Sequence, residues 1–378
     1  MITASHLANT GLLPEGLSDR LPPQAEASAR LTRDVLDTLG AHGYNRVMPP
    51  LAEFEETLVA RLKSARAQDL LRVVDPVSQL TLALRPDMTA QVGRIAATRM
   101  AAAARPLRLS YAGPVLKLRA NQLRPEREQL QVGAELIGTD SVAAATEIVS
   151  IAIEALQAAG VTGITIDFTL PDLIDQLAAG AMPLSVDEVE AVRAELDAKD
   201  AGALAALGGG APAYLSLIEA AGPFHTAMDR LEAMNAGGAL DSRTAALRAI
   251  AKPVGWDITL TLDPTERHGF EYQSWFGFSI FAEGFVGEIG RGGSYTILHG
   301  DGREEPAIGF SLYPDPLIDA GFGTNAERRL FLPPGADLEC AKALRADGWR
   351  TVAALDETDN GAALGCTHWL DGTKTTAY

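Results

Sequence analysis

The chain has 378 residues, a net charge of −17 and a sequence pI near 4.8: long enough for two or three domains around a large core, and too acidic, with no lysine-rich run or arginine-rich arm, to favour a nucleic-acid partner. No apolar run reaches the roughly 18 residues of a membrane span, and the opening MITASHLANTGLLPEG lacks the charged and apolar regions of a signal peptide. The two cysteines, Cys340 and Cys366, form neither a disulfide framework nor a zinc site, so a reducing cytoplasm is the expected compartment.

Residues 12–40 open on a Leu-Pro-Glu-Gly turn and run into an amphipathic helix, with Ala25, Ala29, Leu31, Val35, Leu36 and Leu39 on one broad face. Gly40 and Gly43 end it, and 44–50 reads as a strand stopped by Pro49 and Pro50. A strand at 80–84 leads through Leu84-Arg85-Pro86-Asp87-Met88-Thr89 into an alanine-rich helix that reaches Met100. The stretch 107–138 reads as two strands around a long polar loop. A helix at 141–160 and a strand at 161–170 follow. Residues 183–252 are rich in Ala, Leu, Glu and Gly at helical spacing and are expected to be a helical insertion. Strands resume at 257–262, 272–282 and 285–289, and residues 307–317 start a last core strand and helix. Pro314, Pro316 and Gly321-Phe322-Gly323-Thr324 mark a boundary. Beyond it, a strand at 329–332, a helix at 338–346 and strands at 350–355 and 367–370 make a small α/β unit. No internal repeat is present.

Asp87 and Thr89 carry side-chain acceptors, and on the residues alone Asp87 reads first as a cap for the helix that follows it. Gln131 and Glu135 lie four apart on one strand and so share a face, which could also be the solvated face of an edge strand. Gly133 between them adds no side chain and is expected to leave that face open. Arg267-His268-Gly269-Phe270-Glu271-Tyr272-Gln273 and Gly290-Arg291-Gly292-Gly293-Ser294-Tyr295 each carry a tyrosine two or three residues after a glycine. A lone histidine such as His268 is no evidence of general base chemistry, and the glycine pair also suits an ordinary hairpin. There is no P-loop, dinucleotide fingerprint or HExxH motif, and His225, His299 and His368 are too scattered to read as a metal site.

These segments, in this order over residues 12 to about 319, resemble histidyl-tRNA synthetase and the class II aminoacyl-tRNA synthetases generally. The resemblance implies an α+β fold, an antiparallel sheet flanked by helices. It makes residues 1–319 a synthetase-like core with the insertion at about 183–252, and 325–378 a separate small unit. The helix, strand and Pro50 match the segment that forms the dimer interface in that family. It also implies that Asp87, Thr89, Gln131, Glu135, Tyr272 and Tyr295 line an amino-acid pocket. The residues that run adenylation in that family are replaced. Lys117 stands for a catalytic arginine, so a bidentate clamp on phosphate becomes a point charge. Arg119 stands for an adenine-holding glutamate. Pro316 stands for an arginine that clamps the γ-phosphate, with Asp315 beside it to repel an anion. His268 takes an arginine position, Gln273 a tyrosine position and Ser294 another arginine position, which weakens the histidine-specific set.

That combination resembles the family of ATP phosphoribosyltransferase regulatory subunits. It implies a non-catalytic chain with no cofactor and no metal. Its expected partner is the short catalytic subunit, with this chain as a homodimer inside a hetero-oligomer and histidine as the feedback ligand. No nucleic acid and no membrane are expected. A divergent histidyl-tRNA synthetase, or a synthetase-like enzyme acting on another acceptor, is the alternative. Both need the ATP groups that are replaced here.

Overall fold

Apolar residues four apart give the first helix one narrow stripe. Helix α1 (Gln24–Ala41) buries Ala27, Leu31, Val35 and Leu39, and Leu36 packs at the rim of the same core. Ala25 and Ala29, expected on this face, are exposed. The i, i+4 row makes the contact, and the alanines flanking it turn outward. The computed structural model describes residues 12–59, 70–118, 125–234, 236–267, 273–324 and 327–378. Its contacts divide the chain into two units, Met1–Gly323 and Thr324–Tyr378.

Of the strand expected at 44–50, only β1 (Asn45–Arg46) forms, paired in parallel with a later strand. Next comes a small sheet that the sequence reading had not separated. It holds β2 (Ala52–Phe54) and, after α2 (Glu55–Val59), β3 (Leu71–Val74) and β4 (Thr81–Leu84), in the order β2-β4-β3. Helix α3 (Thr89–Ala97) then leads to the long antiparallel pair β5 (Leu107–Leu116) and β6 (Glu128–Ile137), in which Tyr111 lies opposite Gly133 and Leu109 opposite Glu135. Helix α4 (Val142–Ala158), capped by the Ser141 hydroxyl, precedes β7 (Ile164–Thr169).

The following stretch is mainly helical: α5 (Leu173–Ala179), α6 (Val186–Asp197), α7 (Ala201–Ala206), α8 (Leu215–Glu219), the two-residue β8 (Gly222–Pro223), α9 (Phe224–Ala233) and α10 (Asp241–Ala251). Ser185 and Glu188 form a reciprocal capping box that starts α6. The unit closes with β9 (Thr259–Asp263), β10 (Gln273–Ala282), β11 (Gly290–Leu298), β12 (Glu304–Leu312) and α11 (Asp315–Asp319). Residues 285–289, expected as a strand, form a turn instead. Gly284 and Gly287 take positive φ there, and Val286 is exposed. The strand begins at the glycine run, because neighbours crowd it: a Cβ on Gly290 would lie 2.9 Å from the Ser311 carbonyl oxygen.

The main sheet runs β1-β5-β6-β12-β11-β10-β7-β9-β8. Every ladder from β5 through β7 is antiparallel. One face packs against α1, α4 and the helical stretch, in a core that includes Ile148, Ile166, Phe168, Phe276, Phe278 and Phe310. The other face meets α3 around Met88, Val92, Leu109, Tyr111, Tyr295 and Ile297. Alternation along β6 therefore turns Gln131, Gly133 and Glu135 toward α3.

The second unit has its own sheet, β14-β13-β15-β16, from β13 (Arg329–Leu332), β14 (Arg350–Ala353), β15 (His368–Asp371) and β16 (Lys374–Ala377). The Asp337 carboxylate caps α12 (Leu338–Ala346) by accepting from the Glu339 and Cys340 amides. Leu330, Leu332, Ala341, Trp349 and Leu370 form its core. Strand β16 went unread in the sequence, where it is a short polar run with all four residues exposed.

Candidate functional site

Three local choices assemble a polar pocket between α3 and the middle of the main sheet. The chain enters α3 through Pro86-Asp87-Met88, β6 carries polar residues two and four apart, and β11 turns Tyr295 to the same side. Gln131 is fully buried. Its Nε2 donates to Asp87 Oδ2 at 2.7 Å and to Ser311 Oγ at 2.7 Å, while its Oε1 accepts from the Met88 amide at 2.9 Å. Asp87 Oδ1 accepts from the Thr89 amide at 2.7 Å. Asp87 thus does both things open to it, binding the first turn of α3 with one oxygen and the pocket with the other.

Glu135 is the centre of the network. Tyr111 donates to its Oε1 at 2.9 Å and Tyr295 to its Oε2 at 2.8 Å. The Tyr111 hydroxyl also meets Ser311 Oγ at 3.0 Å and Thr89 Oγ1 at 3.4 Å. Burial pushes the Glu135 carboxyl up to about 8, against the two tyrosine hydrogen bonds, which pull it down. Burial also drives the Tyr111 hydroxyl well above its ordinary range.

Asp87, Thr89, Gln131, Glu135 and Tyr295 thus belong to one hydrogen-bonded cluster. Tyr272, with Arg119 and His268, lies outside the described residues. Gly133 does not open the face as expected. A Cβ there would lie 2.6 Å from the Tyr111 hydroxyl, so the missing side chain makes room for Tyr111. Ser294 faces away from the pocket, accepting from the Phe276 amide at 3.1 Å and from Ser274 Oγ at 2.9 Å. Among the described residues, the space left beside Thr89, Glu135 and Tyr295 is about 10 Å³, room for about one water.

Sequence reasoning missed Tyr111, Ser311, Arg85 and a row of glycines. Tyr111 could be found only once its register opposite Gly133 was known. Arg85 is buried and donates to the Pro49 carbonyl at 2.9 Å and the Pro114 carbonyl at 2.8 Å, tying the segment that follows β1 to β5. Gly309, Gly293 and Gly277 stand side by side across β12, β11 and β10, flanked by Glu135 on β6 and Thr169 on β7. Spread over three strands, such a row has no signature along the chain. Thr169 Oγ1 is buried there without a partner.

Comparison with known proteins fits this geometry. The family model described as Histidyl-tRNA synthetase matches residues 16–317. An ATP phosphoribosyltransferase regulatory subunit of Rhodospirillum centenum is 44% identical, over 96% of this chain and 95% of that one. One from Paramagnetospirillum magneticum is 42% identical, over 96% of this chain and 97% of that one. The chain belongs to the ATP phosphoribosyltransferase regulatory subunit family. The fold of this family member is shared with a solved regulatory subunit/histidyl-tRNA synthetase from Bacillus halodurans, at TM-score 0.78 and 21% identity, covering 94% of this chain and 95% of that one. It is also shared with histidyl-tRNA synthetase from a Nostoc species, at TM-score 0.76 and 16% identity, covering 95% and 90%.

The positions that the resemblance assigns to adenylation groups have definite surroundings. Lys117 is exposed at the end of β5, and its amide donates to the Arg127 carbonyl at 2.8 Å. Pro316 sits in the first turn of α11 and offers no side-chain donor. Asp315 beside it accepts from Arg20 at 2.5 Å and from the Leu130 amide at 2.8 Å.

Proposed function

We propose that this chain is the regulatory, non-adenylating partner of a short catalytic ATP phosphoribosyltransferase subunit. In this reading it supports assembly, activation and histidine feedback in the first step of histidine biosynthesis. The observation that carries the reading is full-length similarity, at 44% and 42% identity, to proteins named as that regulatory subunit. The replacement of adenylation groups by Lys117, Arg119 and Pro316, with Asp315 beside the last, supports it over a working synthetase, because a bidentate phosphate clamp needs guanidinium donors. The test is reconstitution. The short catalytic subunit should be weak alone, gain activity when this chain is added, and become inhibitable by histidine. Histidine-dependent ATP–pyrophosphate exchange by this chain alone would favour the synthetase reading instead.

A homodimer within the larger complex is part of the proposal. Met48, Leu51, Phe54, Val73, Val74, Val77 and Leu80 are all large, apolar and exposed around the small β2-β4-β3 sheet, and a patch of that kind marks an interface. Histidine is the proposed ligand of the pocket around Glu135, with Asp87 and Thr89 as acceptors for its ammonium group and Tyr272 as a further lining residue. There it would replace bonds that the side chains now make with one another. The cytoplasm is the proposed compartment. In support, both cysteines are free thiols, and no helix among the described residues is long and apolar enough to cross a membrane.

A further inference from the structure

Helix α3 sits between the Glu135 pocket and the small β2-β4-β3 sheet, and side chains hold it to both. Its start is tied to the main sheet. Gln131 Oε1 accepts from the Met88 amide at 2.9 Å, and Gln131 Nε2 donates to Asp87 Oδ2 at 2.7 Å. One turn later the helix is tied to β2. Gln91 Nε2 donates to the Pro50 carbonyl at 2.8 Å and to Glu53 Oε1 at 2.9 Å. Arg94 clasps the same carboxylate, with Nε donating to Glu53 Oε2 at 2.8 Å and Nη2 to Glu53 Oε1. The Arg94 and Glu53 side chains are 18% and 8% exposed, and the bidentate form fixes direction as well as distance.

Packing alone does not ask for these bonds. Gln91 is fully buried, and its Oε1 has no hydrogen-bond partner. An apolar side chain, like Val92 and Ala96 on the same helix, would fill the space without that desolvation cost. The two donor bonds to residues 50 and 53 explain the glutamine. The small sheet has use for them, because its strands form no ladder with the main sheet among the described residues. Asp87 and Gln91 are about 6 Å apart along the helix axis, at 1.5 Å per residue. The Val92 amide donates to the Met88 carbonyl at 3.0 Å and closes the turn between them. So short a helix shifts as one piece, and a displacement at Asp87 reaches Gln91, Arg94 and then Glu53.

We infer that Glu53 is a positioning residue that couples the pocket to the small sheet carrying Leu51, Phe54, Val73 and Val74, and so to the dimer. The inference rests on the homodimer reading above and not on the identity of the pocket's ligand. A ligand held by Asp87 changes the strength of the dimer, and dimerisation changes that ligand's affinity by the same factor.

The experiment is sedimentation equilibrium on the full chain. It compares the dimer dissociation constants of wild type, Asp87→Ala, Glu53→Ala and the double variant, with circular dichroism to check folding. Asp87 lies outside the small sheet, yet Asp87→Ala should change the constant about 5-fold or more, the lower end of allosteric couplings. In the Glu53→Ala background the same substitution should change it by less than about 2-fold, the scatter of independent sites. A residue that only supports the fold would not make one effect depend on the other. Arg94→Ala takes the place of Glu53→Ala if that variant fails to fold. An Asp87→Ala effect that is equal in both backgrounds, or absent from both, overturns the inference and leaves the dimer standing. A wild-type chain that stays monomeric overturns the dimer reading and the inference with it.

Discussion

Glu135 accepts from two tyrosine hydroxyls while removed from water, and its carboxyl is raised from 4.5 to about 8. Between those values the folded chain keeps a proton that the unfolded chain has released. The stability contributed by Glu135 is therefore fully present below pH 4.5 and is lost as pH rises through about 8. Glu135→Gln keeps the shape and cannot ionise. Urea unfolding from pH 5 to 9 should show wild type losing stability relative to this variant, with a slope of up to about 1.4 kcal/mol per pH unit. A pH-independent difference would mean that Glu135 is already ionised across the range. Gly309→Ala tests the same site sterically. A Cβ there would overlap the Glu135 carboxylate and lie 2.5 Å from the Ala134 carbonyl oxygen. A loss of about 1–3 kcal/mol in chemical unfolding is expected. Part of this cluster was legible through the family resemblance, which singled out Asp87, Thr89, Gln131, Glu135 and Tyr295. Tyr111 and Ser311 were not, since what brings them in is strand register.

At the level of single elements, the stripe on α1 makes a sharp contrast testable. Leu31 is 1% exposed, and Leu31→Ala should cost about 2–5 kcal/mol by removing core volume. Ala29 is exposed, and Ala29→Ser should stay within about 0.5 kcal/mol. Thermal or urea unfolding of the two variants decides it, and equal effects would mean the helix packs on its broader face. Periodicity identified this helix but could not choose among its alanines, because an alanine side chain suits core and surface alike. The same limit explains the displaced strand at 285–289. Phe285, Val286 and Ile289 look like a strand by composition. Positive φ at Gly284 and Gly287 and the ladder of β11 with β12 put the strand five residues later. The tail helix forms at 338–346 as expected, and the structure adds that Asp337 caps it.

For the whole molecule, the exposed apolar surface around the small sheet is the feature with the largest consequence. Val73 and Val74 are 55% and 64% exposed on β3, which pairs only with β4 among the described strands. Under the proposed homodimer, Val73→Lys with Val74→Lys should halve the mass seen by light scattering after size exclusion and leave the circular dichroism unchanged. A wild-type chain that already runs as a monomer would remove this part of the proposal. The net charge of −17 adds a second handle. Like charges repel across an interface, and the repulsion is screened by salt, so added salt should strengthen the dimer.

The α+β class and the order of the synthetase-like segments were written in the sequence, because strand alternation, helix periodicity and turn residues are local patterns that survive without neighbours. The proposed replacements at Lys117 and Pro316 rest on the family resemblance, which assigns each to a single position in a short motif. Register lay beyond reach. It puts Gly277, Gly293 and Gly309 in one row and places Tyr111 opposite Gly133. Pairing and packing between distant segments are decided by the shape of the whole core, so only the tertiary structure could show which polar groups meet and which are left without a partner.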